Sequence, residues 1–149
     1  MKKNKQPKTV KFMLADDIRA ENDSKPMLIG FYSDDIVKAL IRDEQPDPTD
    51  ETPITLRSLA ILVVFIDCAG TFNSEIALYQ PNGNPILEPK KIEGGLKSLP
   101  ASKAKSSINF IANFAPFIIP EFGIFKFEIK LDEITYPYYF EVSRGLLKK

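Results

Sequence analysis

The amino-acid sequence predicts an all-β chain folded as one antiparallel β-sandwich. Three features carry that expectation. Near the C-terminus, Phe125, Phe127, Ile129 and Leu131 alternate with Lys126, Glu128 and Lys130, and Ile134, Tyr136, Tyr138, Phe140 and Val142 follow with the same period after Asp132-Glu133. Two runs of period two around a short polar tip describe a hairpin with one buried face. Ala60–Ile66 is apolar without a break and rich in β-branched residues, as in a central strand covered on both faces. Finally, turn clusters separate the short apolar runs, the strongest being Pro81-Asn82-Gly83-Asn84-Pro85. Together they predict seven to eight strands in an immunoglobulin-like or C2-like sandwich.

In chain order, residues 1–9 are polar and contain Lys2, Lys3, Lys5 and Lys8; they are expected to form a disordered basic tail. The sandwich domain is expected to span 10–143. Val10–Ala15 reads as a strand ended by Asp16 and Asp17. A polar turn carrying Arg19, Glu21 and Asn22-Asp23-Ser24 leads to a returning strand, Met27–Tyr32. Pro26 can open that strand, and Gly30 inside it suggests a bulge or a close backbone approach. Ser33–Arg42 has Ile36, Val37, Leu40 and Ile41 at helical spacing with Ser33 as a possible cap, but its strand neighbours favour extended chain.

Residues 43–53 form an acidic loop with Pro46, Pro48 and Pro53, either a mobile excursion or an ordered Ω-like loop. The apolar run 59–66 needs a cover on its second face, from Ile36–Ile41 or from another subunit. Asn73–Gln80 alternates. Ile86–Ile92 is a weaker strand interrupted by Pro89, and Ser107–Phe117 is another strand. Pro137 is expected to place the last strand at a sheet edge, because proline cannot donate to a ladder. Residues 144–149 read as a frayed basic end.

The opening hairpin also carries a resemblance. Phe12-Met13-Leu14-Ala15-Asp16-Asp17-Ile18-Arg19, Glu21, Lys25 and Leu28-Ile29-Gly30-x-Tyr32, with Pro81-Asn82-Gly83 and Gly123-x-Phe125-x-Phe127 later, resemble a bacterial family of small uncharacterised proteins. The resemblance implies the fold class and a bacterial origin, and no reaction.

Composition excludes several chemistries. The 149 residues suit one domain, and 44% hydrophobic content suits a real core. Twenty basic and twenty acidic side chains cancel, so no global field favours nucleic acid. No histidine is present and cysteine occurs once, at Cys68. Ser-His-Asp and Cys-His nucleophiles, disulfides and the usual zinc sites are therefore ruled out. Cys68 is expected to be a small core residue. No apolar run follows the N-terminal lysines as a signal peptide would, and none is long enough to span a bilayer. A cytoplasmic protein without membrane insertion, cofactor, metal or catalytic residues is the expectation.

What remains is binding. Asp16, Asp17, Arg19 and Glu21 form one candidate constellation, with Arg19 expected to pair with a carboxylate and hold the turn. Asp16-Asp17 and Asp34-Asp35 raise the alternative of a calcium- or lipid-binding C2-like module, although a simple hairpin puts the pairs at opposite ends. Tyr136, Tyr138 and Tyr139 are the third candidate set; core packing and contact with a partner both suit them. The leading expectation is a non-enzymatic module that binds a protein partner or forms a homo-oligomer, using an edge strand and the run 59–66.

Overall fold

A computed structural model of the chain describes residues 4–20, 26–98 and 106–146. They form thirteen strands: β1 Thr9–Ala20, β2 Pro26–Tyr32, β3 Ile36–Ile41, β4 Ile54–Leu56, β5 Leu59–Ile66, β6 Thr71–Phe72, β7 Ser74–Tyr79, β8 Pro85–Lys91, β9 Leu96–Lys97, β10 Ser107–Phe114, β11 Phe117–Ile119, β12 Gly123–Leu131 and β13 Ile134–Leu146. Nine of them build the two larger sheets, ordered β10-β5-β1-β2 and β3-β13-β12-β7-β8, one more than the upper end of the expected seven to eight; the short pairs β4–β11 and β6–β9 supply the other four.

The two larger sheets share one apolar core. Leu14, Leu59, Ile61, Val63 and Phe65 come from the first, and Leu78, Phe125, Phe127, Ile129, Leu131, Phe140 and Val142 from the second; all are buried. This is the predicted sandwich, and its source is the alternation itself: every second residue of β12 and β13 points inward. Fully burying a side chain of this size contributes about 1.5–3 kcal/mol. Cys68 is buried in the same core, where loss of solvent pushes its thiol pKa up.

Several expectations need correction. Ser33–Arg42 contains a strand, β3, whose Val37, Ala39 and Ile41 are buried in alternation. It pairs parallel with β13 from Glu141 to Leu146, so it belongs to the second sheet; its Val37 and Ala39 join the core shared with Leu59 and Ile61, and none of its residues is in the cluster around Ala60 and Leu62 on the second face of β5. Consequently β13 runs on past residue 143, and Arg144, expected in a frayed end, is clamped. It donates to Asp47 Oδ1 at 2.9 Å and to the Arg42 carbonyl at 3.1 Å, fastening the acidic loop. Pro137 lies opposite Glu128 of β12 in a half of β13 that β3 does not reach. The strand is internal to the sheet as a whole, yet it is locally an edge where the proline sits.

Residues 4–8 also depart from the expected loose tail. Lys5 exchanges backbone hydrogen bonds with Ala69. Asn4 donates to the Thr71 carbonyl at 2.6 Å and to Asp132 at 2.9 Å. Gln6 donates to the Leu131 carbonyl at 3.1 Å and accepts from the Tyr136 hydroxyl at 2.8 Å. Short polar side chains between the lysines find partners on β6 and on the β12–β13 hairpin. Lys5 lies 2.9 Å from Asp67 and holds that carboxyl below its usual pKa range.

The largest correction concerns the first hairpin. Asp16 and Asp17 do not end the first strand; β1 continues to Ala20. Its first half, Thr9–Ala15, pairs with β5, and its second half pairs only with β2. The β1–β2 ladder pairs Ala15 with Phe31 and Asp17 with Ile29 but skips Asp16 and Gly30. Gly30 has φ 68°, a conformation that costs L-residues about 1–2 kcal/mol and glycine almost nothing. A Cβ there would run into the Asp16 carboxylate, which selects close approach from the two expectations for this glycine. Beyond this point the faces exchange. Ala15 and Ile18 are three residues apart, so an undistorted strand would place them on opposite faces. Instead they share one buried cluster with Ala60 and Leu62 of β5, and Met13, Leu28, Val64 and Ile111 pack around it. The cover that β5 needs on its second face is therefore supplied in part by the distal half of the chain's own hairpin.

Candidate functional site

The six described residues among the seven singled out from sequence do not converge. Asp16 sits at the distortion of the first hairpin. It accepts a short hydrogen bond from the Tyr32 hydroxyl, and its carbonyl accepts from Ser58 Oγ at 2.7 Å. With Leu56, Arg57 and Ser58 the pair lines a shallow cleft of about 250 Å³. Burial, with the Asp16 carboxylate beside it, pushes the Tyr32 pKa far up, so Tyr32 is a hydrogen-bond donor at neutral pH and no proton acceptor.

Asp17 lies 3.3 Å from Arg19 Nε. The expected pairing is present, but it sits on an exposed strand face and holds no turn. An exposed pair of this kind contributes at most about 1 kcal/mol. Glu21 and Lys25 lie outside the described residues.

Tyr136 and Tyr138 face the core. Tyr138 stacks on Phe12 at 5.0 Å between ring centroids and donates a short hydrogen bond to Asp35. Burial, then the nearby Asp35 carboxylate, pushes the Tyr138 pKa far up. Tyr139 points the other way and is exposed. It lies opposite Lys126, which lies opposite Tyr79 on the far side, with the ammonium 4.9 Å from the Tyr79 ring centroid. These three, with Gln80, Ile124 and Glu128, border an open cleft of about 460 Å³.

Each of the four aspartates of the calcium alternative, Asp16, Asp17, Asp34 and Asp35, already has a protein donor. Asp16 and Asp35 take tyrosine hydroxyls, Asp34 accepts from the Ile36 N–H at 3.2 Å, and Asp17 takes Arg19. Among the described residues no group of three or more acidic, histidine or cysteine side chains is placed to hold a metal ion. Nor, among them, does a buried side-chain polar atom lack a hydrogen-bond partner. No helix of the described residues is long and apolar enough to cross a membrane.

The surface that stands apart is one the sequence reading passed over: the outer edge of β2. In the first sheet β2 is terminal, with β1 on one side and no strand on the other among the described residues. Met27, Ile29 and Phe31 are 46%, 38% and 54% exposed. They lie along seven residues that contain no charge, beside unpaired backbone groups; Met27 and Ile29 share one face, opposite Arg19 and Asp17, and Phe31, opposite Ala15 across the Gly30 distortion, lies on the other. Edges of this kind are normally blunted by charge, proline or irregularity. β2 has Pro26 at its start and the irregularity at Gly30 but no charge; the other three terminal strands carry charged or amide side chains. β8 contains Pro85, Pro89, Lys90 and Lys91 and has an irregular register; β3 is six residues long and contains Lys38; β10 places exposed Asn109 and Asn113 where β2 has large apolar groups. The available signal was that Met27–Tyr32 is apolar on both parities, more than a strand with one buried face requires.

Comparison with known proteins gives one match. Residues 48–136 fit a family of unknown function, DUF6941. That span holds the Pro81-Asn82-Gly83 turn and the Gly123-x-Phe125-x-Phe127 entry, while the β1–β2 hairpin precedes it. No curated protein and no solved structure matches the chain. Since the match covers well over half of the 149 residues, the chain belongs to the family of unknown function DUF6941.

Proposed function

We propose that this protein is a non-enzymatic interaction module that accepts an extended segment of a protein partner along the open edge of β2. The observation that carries the reading is the coincidence of three properties on one strand: a ladder edge unpaired among the described residues, exposed apolar side chains and no charge. In strand addition, main-chain hydrogen bonds supply affinity and alternate side chains supply selectivity. β2 offers both. The run 59–66 serves as the floor of the first sheet, and the working surface is its neighbour two strands away.

The calcium- or lipid-binding alternative has less in its favour, because the aspartates it would use are already engaged by hydroxyl, amide and guanidinium donors. The tyrosine row on the second sheet is a weaker candidate than β2. Lys126 already rests on Tyr79 and lies 3.8 Å from Glu128.

The test is a photo-crosslinking side chain in place of Phe31, with a control at Ile118, an exposed residue of β11. Irradiation in the source cell followed by mass spectrometry is expected to give polypeptide adducts at position 31 that are missing at 118. Equal labelling, or none at 31, overturns the reading.

A further inference from the structure

We propose that residues 4–8 form a latch across one end of the sandwich, and that this latch opens while the rest of the fold stays intact and so controls access to the Cys68 thiol. The latch has two anchorages. On one side Lys5 exchanges two backbone hydrogen bonds with Ala69 and its ammonium lies 2.9 Å from Asp67, while Lys8 lies 3.5 Å from the other oxygen of the same carboxylate. On the other side Asn4 donates to Asp132, Gln6 donates to the Leu131 carbonyl, and Gln6 accepts from Tyr136. Cys68 is joined to both. Its two chain neighbours, Asp67 and Ala69, hold Lys5. Its thiol donates to the Phe65 carbonyl at 3.8 Å, and the Phe65 ring packs edge-on against Tyr136, which holds Gln6. With the latch in place Cys68 is 1% exposed. The receiving turn is shaped for the latch: Gly70 has φ 119°, and a Cβ there would collide with the Asn4 carboxamide.

Two properties let this segment open by itself. First, none of residues 4–8 is buried, and its attachments are polar. Release therefore moves little apolar surface into water. Its hydrogen bonds are exchanged for bonds to water at a small net cost, and the freed backbone regains conformational entropy. Second, its pairing with the β5–β6 connection is one isolated bridge, Lys5 with Ala69. The continuous ladder to β5 starts only at Thr9 opposite Ile66. β5 itself lies between β1 and β10 and gives five side chains to the core, Leu59, Ile61 and Val63 among them, so it cannot part without the sheet. Local openings of low free energy belong to segments of the first kind.

Cys68 is the one cysteine of the chain, so the rate at which the whole protein reacts with an aromatic disulfide reagent reports its exposure. In urea below the unfolding transition the wild-type rate is expected to stay nearly flat, because an opening that exposes little surface responds weakly to denaturant. Gln6→Ala removes two hydrogen bonds and is expected to react about tenfold faster, with the midpoint of global unfolding unchanged. Asp67→Asn is expected to react about threefold faster, since the ion pairs it weakens are exposed. Asparagine suits the site because residue 67 has φ 62°, a conformation that Asp and Asn both tolerate. If Gln6→Ala shifts the global midpoint, Asn4→Ala takes its place, with faster reaction at an unchanged midpoint again expected. A wild-type rate that climbs with urea as steeply as global unfolding overturns the proposal, because the thiol is then reached only by unfolding. Equal rates in the wild type and the variants overturn it as well.

Discussion

The two long hairpins of this sandwich use their residues in opposite ways. In the β12–β13 hairpin, strict alternation puts Phe125, Phe127, Ile129, Tyr138, Phe140 and Val142 into the core, and polar side chains dominate the outer face. In the β1–β2 hairpin the alternation is interrupted at Asp16 and Gly30. Past that point Ile18 covers the outside of β5, while Met27, Ile29 and Phe31 are left exposed. The β12–β13 hairpin closes the fold; the β1–β2 hairpin finishes with apolar side chains and backbone groups unspent. A hairpin whose apolar residues exceed what its own core can take is where contact with another chain is to be sought.

The contrast can be broken by substitution. Phe127→Ala, in the core, is expected to lower unfolding stability by about 3–5 kcal/mol. Phe31→Ala, on the open edge, is expected to change it by no more than about 0.5 kcal/mol in dilute protein. Chemical denaturation measures both, and similar losses at the two sites would erase the distinction. Gly30→Ala should cost about 2 kcal/mol, combining left-handed backbone strain with contact against Asp16. A neutral result would mean that the hairpin does not need its distortion.

A pH titration sharpens the same comparison. Tyr138 in the second hairpin and Tyr32 in the first both have pKa values raised in the fold, chiefly by burial. A raised pKa means that the folded state holds the proton more tightly than the unfolded chain. This contribution is complete below the ordinary tyrosine value of 10.0 and is lost as pH rises beyond it. Stability is therefore expected to fall above that pH, and Tyr138→Phe is expected to flatten the fall. An unchanged slope in the variant would place the effect elsewhere. The smallest expected effect is at Asp17: its exposed pair with Arg19 predicts a change within about 0.5 kcal/mol for Asp17→Ala, smaller than a turn-holding role implied. Calcium at about 1 mM is expected to leave the melting temperature unmoved, because binding to the folded state alone would raise it.

The sequence made the second hairpin legible because each of its residues states its face by period two. It hid the first because Asp16, Asp17 and Arg19 read as a turn, and only tertiary pairing keeps such residues in a strand. Spacing could not show that Asp16 meets Tyr32 or that Asp35 meets Tyr138, 103 residues away. Arg144 was hidden in the same way, since its partner Asp47 lies 97 residues earlier. In β3 the apolar residues matched two periods at once, and only the parallel neighbour β13 decided between them. The candidate surface was half visible. The apolar residues of Met27–Tyr32 stood in the sequence, but that their strand is terminal is a property of sheet order.

The openness of β2 can be measured directly by amide hydrogen exchange in the purified protein. The account predicts that β2 amides facing away from β1 exchange far faster than those of β12, which has a strand on each side. Protection across all of β2 equal to that of β12 would contradict it.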